Sequence, residues 1–150
     1  MKALALDIGE KRTGIASGDT DTRIALPVCV LNTHDILSGS ADFKRLVKEV
    51  EPEFLVVGLP VSLDAQENRQ AQQVRKIAEN IAKTLDLPLV YQDERLSSAQ
   101  AKRYFREAGY TEKEMRGRID MVAASLILQA YLDAYISDPS GDARSERFPH

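Results

Sequence analysis

Residues 3–8, ALALDI, constrain the fold more than any other stretch of the chain. They form a continuous apolar run without a helix cap, the pattern of a strand buried on both faces. With a period of two, Leu4, Leu6 and Ile8 share one face, and Ala3, Ala5 and Asp7 the other. Such a strand lies inside a sheet with a layer above and a layer below. Asp7 ends the run, and an acid in that setting needs something to offset its lost hydration. Its neighbours on that face are alanines, which leaves space around it. Two explanations fit: an Asx-type turn residue that accepts amide hydrogen bonds from the following loop, or a ligand for a cation.

The flanking pattern extends this strand into a sheet. Residues 9–12 read as a turn, TGIASG (13–18) returns as a second strand and LPVCVLN (26–32) makes a third, together an antiparallel meander. Helices then alternate with strands. Ser40 caps a helix carrying Phe43, Leu46, Val47 and Val50, and Pro52 ends it. EFLVVGLP (53–60) is a buried strand, followed by a long helix with Val74, Ile77, Ala78, Ile81, Ala82 and Leu85 on one stripe. LPLVYQDER (87–95) is the fifth strand. Ser97 with Gln100 forms a capping box ahead of Ala101, Tyr104, Phe105 and Ala108, a helix running to Gly109, and Thr111 with Glu114 repeats the box. A last helix spans about 118–136, with only Ser125 and Gln129 polar between Met121 and Leu132. The expected architecture is α/β: a five-stranded mixed sheet, three antiparallel strands then parallel ones, with helices on both faces. Residues 1–136 make one domain, and the polar segment 137–150, SDPSGDARSERFPH, is expected to be a disordered tail.

Composition removes several function classes. A chain of 150 residues suits one core, and 43% apolar with 29% charged residues is ordinary globular usage rather than that of a disordered protein. The segment MKALALDIG lacks the hydrophobic length and cleavage site of a signal peptide, and no run is long enough to span a membrane. The lone Cys29, in the apolar PVCVLN, reads as a buried, inert thiol in a reducing cytoplasm. Two histidines, His34 and His150, are too few for a histidine metal site or triad. The net charge of −3 is unevenly spread, because residues 95–118 hold seven Lys or Arg against three Glu. That segment is a solvated helix surface or a face for phosphates.

Ligands in open α/β sheets gather beyond the carboxyl ends of the parallel strands, where Asp7, GLP (58–60) and DER (93–95) all lie. Asp93 and Glu94 are adjacent, so only one shares a face with Asp7. Asp120 opens the apolar last helix, a position that the helix dipole favours by about 0.3–1 kcal/mol without any function. Three converging acids repel one another unless a cation sits among them, and a hard divalent ion with oxygen ligands is the usual solution. A Mg2+ site of this kind supports in-line phosphoryl displacement without a serine, cysteine or histidine nucleophile.

Four segments in order, ALDIGEKRTGIA, VVGLP, DERLSSAQA and IDMVAASLIL, resemble the YqgF family over the chain to about Tyr135. The resemblance implies a ribonuclease H-like fold and a nuclease. Bacterial members are associated with maturation of the 5′ end of pre-16S ribosomal RNA in the cytoplasm, and the family is also described as Holliday junction resolvases. It implies Asp7, Glu94 and Asp120 as catalytic metal ligands, with Asp93 the substitute for Glu94, and Mg2+ or Mn2+ as the ion. Lys11, Arg12, Arg95 and Arg118 would meet substrate phosphates. Two positions depart from the family pattern. Asp64 is followed by Ala65 where glycine is usual, and Arg116 and Arg118 stand where lysine is frequent. Three rivals to a ribosomal RNA nuclease remain: a resolvase acting on four-way DNA junctions, a non-catalytic nucleic-acid-binding module, and an ATP-binding phosphate loop. The last lacks the second glycine-rich loop and second lobe it needs. RNA is the expected partner, with branched DNA as the alternative, for a monomer or a homodimer.

Overall fold

The computed structural model describes residues 1–60, 69–94 and 97–136. Strand β1 (Lys2–Ile8) is the centre of the sheet. It pairs antiparallel with β2 (Arg12–Asp19), which pairs antiparallel with β3 (Ile24–Asn32). On its other side β1 runs parallel to β4 (Phe54–Leu59), and β4 parallel to β5 (Leu89–Asp93), giving the order β3-β2-β1-β4-β5. This is the mixed five-stranded sheet expected from the sequence.

The two faces of β1 meet different layers, as its alternation requires. Leu4, Leu6 and Ile8 pack with Ile15, Leu55 and Val57 under α1 (Thr33–Leu37), α2 (Ala41–Val50) and α3 (Arg69–Leu85). Ala3 and Ala5 join Ala16, Phe54, Val56 and Val90 under α6 (Ile119–Ile136), whose Ala124, Ile127, Leu128 and Tyr131 fill that core. Between β5 and α6 lie α4 (Ser97–Glu107) and the single turn α5 (Glu112–Met115). Among the described residues no helix is long and apolar enough to cross a membrane.

Local signals act as written at several ends. Ser40 accepts a hydrogen bond from the Phe43 amide, and α2 stops at Glu51, which takes a left-handed φ of 52° ahead of Pro52. The box of Thr111 and Glu114 closes in both directions around α5. The Ser97 box, Arg95, the segment around Asp64 and the tail 137–150 lie outside the described residues.

Four features differ from the sequence reading. Helix α1 was not anticipated, because five residues are too few to show a period. Among the described residues of α4 only Ala101 and Phe105 are buried, whereas Tyr104, and Ala108 just past its end, are exposed, so the face turned to α6 is narrower than the apolar pattern implied. Cys29 is half-buried rather than buried, and burial pushes its thiol pKa up, away from reactivity. A bulge in β3 leaves Val28 without a partner, since Ile15 pairs with Cys29 and Ala16 with Pro27. The extra residue flips the alternation. Cys29 and Leu31 therefore pack on the α1–α3 side, and Ala25 on the α6 side.

Candidate active site

Asp7 follows Ala3 and Ala5 on the α6 face of β1, near the carboxyl end of the strand. Glycine stands beside it on both neighbouring strands. Gly14 is its partner on β2, and Gly58 follows Val57, the β4 partner of Leu6. Neither position has room for a side chain. A Cβ on Gly14 would run into the backbone carbonyl of Asp120, so the missing side chain is what lets the first turn of α6 lie directly on β2. A Cβ on Gly58 would stand 2.5 Å from Ile127 Cδ1 and 3.1 Å from Glu94 Oε2. The two glycines open the space into which Glu94 and Asp120 come from opposite sides.

Glu94 is the first residue beyond β5, and its amide donates to the Leu59 carbonyl at 3.3 Å. Leu89 and Tyr91 pack on the α1–α3 side and Val90 on the α6 side, so Asp93 falls with the former and Glu94 with the latter. Of the two adjacent acids it is Glu94 that reaches Asp7. The two carboxyl groups lie within hydrogen-bonding reach of each other. Burial pushes the Asp7 pKa up to about 8, helped by the charge of Glu94, by their hydrogen bond and by the charge of Asp120. Burial also raises Glu94, as does the charge of Asp93, while the hydrogen bond from Asp7 works in the opposite direction.

Asp120, in the first turn of α6, completes the group at longer range and is held by Arg12, whose Nε lies 3.5 Å from its Oδ2. Among the described residues no three His, Cys, Asp or Glu side chains are drawn together tightly enough to close around one ion. The donor set nonetheless fits a hard divalent cation. Two half-buried carboxyl groups face each other and a third lies within electrostatic reach, an accumulation of negative charge that a cation offsets. Asp7, Glu94 and Asp120 are the residues that would hold it.

The turn at 9–12 is braced from beneath. Gly9 N donates to the Arg12 carbonyl at 2.9 Å, and Thr33 N donates to the Lys11 carbonyl at 2.9 Å. The Thr33 hydroxyl donates to the Gly9 carbonyl at 2.7 Å and accepts from buried Thr13 at 2.8 Å. Exposed Lys11 projects from this turn over a cleft of about 430 Å3 lined by residues 9–12, Asn32 and Asp120. A second cleft of about 370 Å3 lies against Ile8, Gly9 and Glu10 on the α3 side and carries Arg69. Sequence reasoning missed Arg69 and the Thr13–Thr33 brace, because nothing local marks either. The Arg118 guanidinium lies 5.5 Å over the Tyr110 ring.

A family profile described as "RuvX: Holliday junction resolvase" matches residues 1–134. The chain belongs to the RuvX family. This is the family to which the four sequence segments pointed, under its other name, YqgF. Curated relatives of this RuvX-family chain carry the name "Putative pre-16S rRNA nuclease". One from Chloroflexus aurantiacus is 41% identical over 147 residues, 98% of this chain and 94% of the relative. One from Thermosynechococcus vestitus is 38% identical over 134 residues, 89% of each. Among solved structures, Thermus thermophilus RuvC in complex with Holliday junction substrate superposes with a TM-score of 0.53 at 14% identity, covering 91% of this chain and 96% of that one. The fowlpox virus resolvase in complex with Holliday junction DNA gives 0.57 at 13% identity, covering 91% and 100%. At such identities the likeness speaks for the fold, which is ribonuclease H-like.

Proposed function

We propose that the protein is a divalent-metal-dependent nuclease that hydrolyses phosphodiester bonds near the 5′ end of precursor 16S ribosomal RNA in the cytoplasm. The observation that carries this reading is the half-buried Asp7–Glu94 carboxyl pair, with Asp120 alongside, at the carboxyl ends of parallel strands between two glycines. A structural acid would have a fixed cation or a set of amides. Among the described residues Asp7 instead has glycines on both sides and a second acid as its partner, an arrangement that favours a site built for a removable cation.

Bound Mg2+, or Mn2+ in its place, would supply the positive charge that stabilises the pentacovalent phosphorus and the departing oxygen. Asp7 and Glu94 would hold it and Asp120 would complete the set, while the glycines keep the approach clear. Lys11, on its braced turn, binds a backbone phosphate beside the acids. Arg12 orients Asp120 and shares the charge of an incoming phosphate. Arg95 and Arg118 belong to the basic segment that holds more distant phosphates, as electrostatic binding of a nucleic-acid backbone requires. In the reaction a water oxygen bonds to phosphorus, the bond to the leaving ribose oxygen breaks, and that oxygen departs with a proton.

The names of the relatives favour the ribosomal RNA precursor as substrate. The family description favours a second reading, cleavage of four-way DNA junctions by the same acids. Purified wild type, Asp7→Asn and Glu94→Gln are to be incubated with Mg2+ on an rRNA precursor leader and on a four-way junction. RNA cleavage lost in both variants is the expected result. Junction cleavage alone would put the resolvase first, and binding without cutting of either substrate by folded wild type would leave a binding module.

A further inference from the structure

A second surface next to this site is not used by the acids. Tyr104 on α4 is 60% exposed, unusual for so large a ring on a helix that packs against α6. It does not swing freely. Its ring meets Phe105 edge-on at 5.5 Å, and buried Phe105 is in turn edge-on to Tyr110 at 5.0 Å. In front of Tyr104 lies a groove of about 500 Å3 between α4, α6 and β3, walled by Pro27, Val122 and Leu126, with Gln100 and Ser125 at its polar points. The β3 bulge helps to make it, because Pro27 comes before the flip and lies on the α6 side with its partner Ala16. Val122 follows Asp120 by two residues in the first turn of α6, about 200° farther round the helix, so the groove and the acids lie at the same end of α6.

The chemistry of the rim says what fits. Lys102 and Arg103 stand on the exposed side of α4, and Lys113 and Arg116 follow it, none with an acidic partner among the described residues. An acidic chain thus carries Tyr104 within its net-positive segment, residues 95–118. A flat apolar slot under an exposed aromatic, on a helix that also carries exposed cations, complements a polyanion that has flat apolar faces. A positive groove joined to an aromatic stacking surface is how single-stranded nucleic acids are bound without sequence preference. In a duplex those base faces are hidden by stacking. Ser125 donates to the Val122 carbonyl at 2.7 Å and keeps its lone pairs for a base N–H, while the Gln100 amide can both donate and accept.

We propose that this groove holds an unpaired nucleobase of the bound strand, stacked on Tyr104, next to the cleaved phosphate. The inference rests on the reading of the protein as a nuclease and narrows its substrate to strands with an unpaired nucleotide flanking the cut. Unpaired RNA and unpaired DNA share this chemistry, and the test separates them.

The chain contains no tryptophan, so Tyr104→Trp places a single fluorophore in the groove. Metal-free protein is titrated with a short single-stranded RNA, the same sequence as DNA, and a blunt RNA duplex. The labelled strands report binding by anisotropy, and the tryptophan reports stacking by quenching. The expected result is quenching that saturates with single-strand binding, RNA tighter than DNA, and little quenching by duplex. Tyr104→Ala should weaken single-strand binding by about tenfold, with Tyr104→Phe within about twofold of wild type, as base stacking on one ring predicts. Binding without quenching, equal quenching by duplex, no binding of any strand, or an emission change on self-association alone would each overturn the proposal. Failure of the nuclease reading shows elsewhere, as folded wild type that cuts neither substrate, and leaves the quenching result to be judged by itself.

Discussion

The two faces of β1 are made of different material. One presents Leu4, Leu6 and Ile8 to α1–α3, the other Ala3, Ala5 and Asp7 to α6. The bulky face fills space and holds its layer at ordinary packing distance. The small face, extended by Gly14 and Gly58 on the neighbouring strands, brings α6 in until the backbone of Asp120 touches the sheet. The same strand thus anchors a core with its even residues and seats a chemical group with its odd ones. The contrast teaches that side-chain size, more than polarity, sets where a reactive acid can sit. Asp7 could not gather partners on the leucine face, where large side chains would keep them away.

Substitutions can break or sharpen this contrast. The largest effect is expected from Asp7→Asn, which should lower metal-dependent cleavage by about a hundredfold to a thousandfold, the usual cost of removing one group that stabilises transition-state charge. Its effect on stability should have the opposite sign. The Asp7 pKa lies far above its unfolded value of 3.8, near 8, so the native state holds the extra proton between those values. The favourable contribution is complete below about pH 4 and is lost as pH rises through about 8. Metal-free wild type should therefore lose Tm across that window and recover it when Mg2+ replaces the proton. Asp7→Asn should show a flatter profile and a weaker response to Mg2+ in thermal melts from pH 5 to 9. A Tm of wild type that is constant with pH would sink the account of Asp7.

On the opposite face, Leu6→Ala should cost about 2–5 kcal/mol of stability by leaving a cavity. Urea unfolding measures this, and cleavage per folded molecule should stay near wild type. A comparable loss of rate would show that the two faces are not separable. Gly58→Ala comes next. Its Cβ would press on Ile127 and Glu94, so we expect about 1–3 kcal/mol of destabilisation from overpacking. A fall in kcat with weakened Mg2+ dependence, measured on fully folded protein, would show that Glu94 has moved. The smallest effect is expected from Thr33→Val, which deprives the Gly9 carbonyl and the Thr13 hydroxyl of a partner, for about 1–2 kcal/mol. Because the brace supports the turn at 9–12, KM for the nucleic acid should rise more than kcat falls.

By itself the sequence determined what depends on short-range pattern. The two-sided apolarity of residues 3–8 places β1 at the sheet centre, the period of two puts Asp7 with the alanines, and the capping residues mark the start of α2 and α5. These follow from backbone geometry over a few residues, so a string of letters carries them. The tertiary structure decided what depends on distant segments meeting. Register and strand end brought Glu94 rather than Asp93 to Asp7, Gly14 proved to be the landing place of α6, and Thr33 came to brace a turn more than twenty residues earlier. Arg12 turned toward Asp120, and the β3 bulge with a narrow α4 contact left Tyr104 in the open. None of these has a local signature, because each is fixed by the position of two surfaces that only the folded chain brings together.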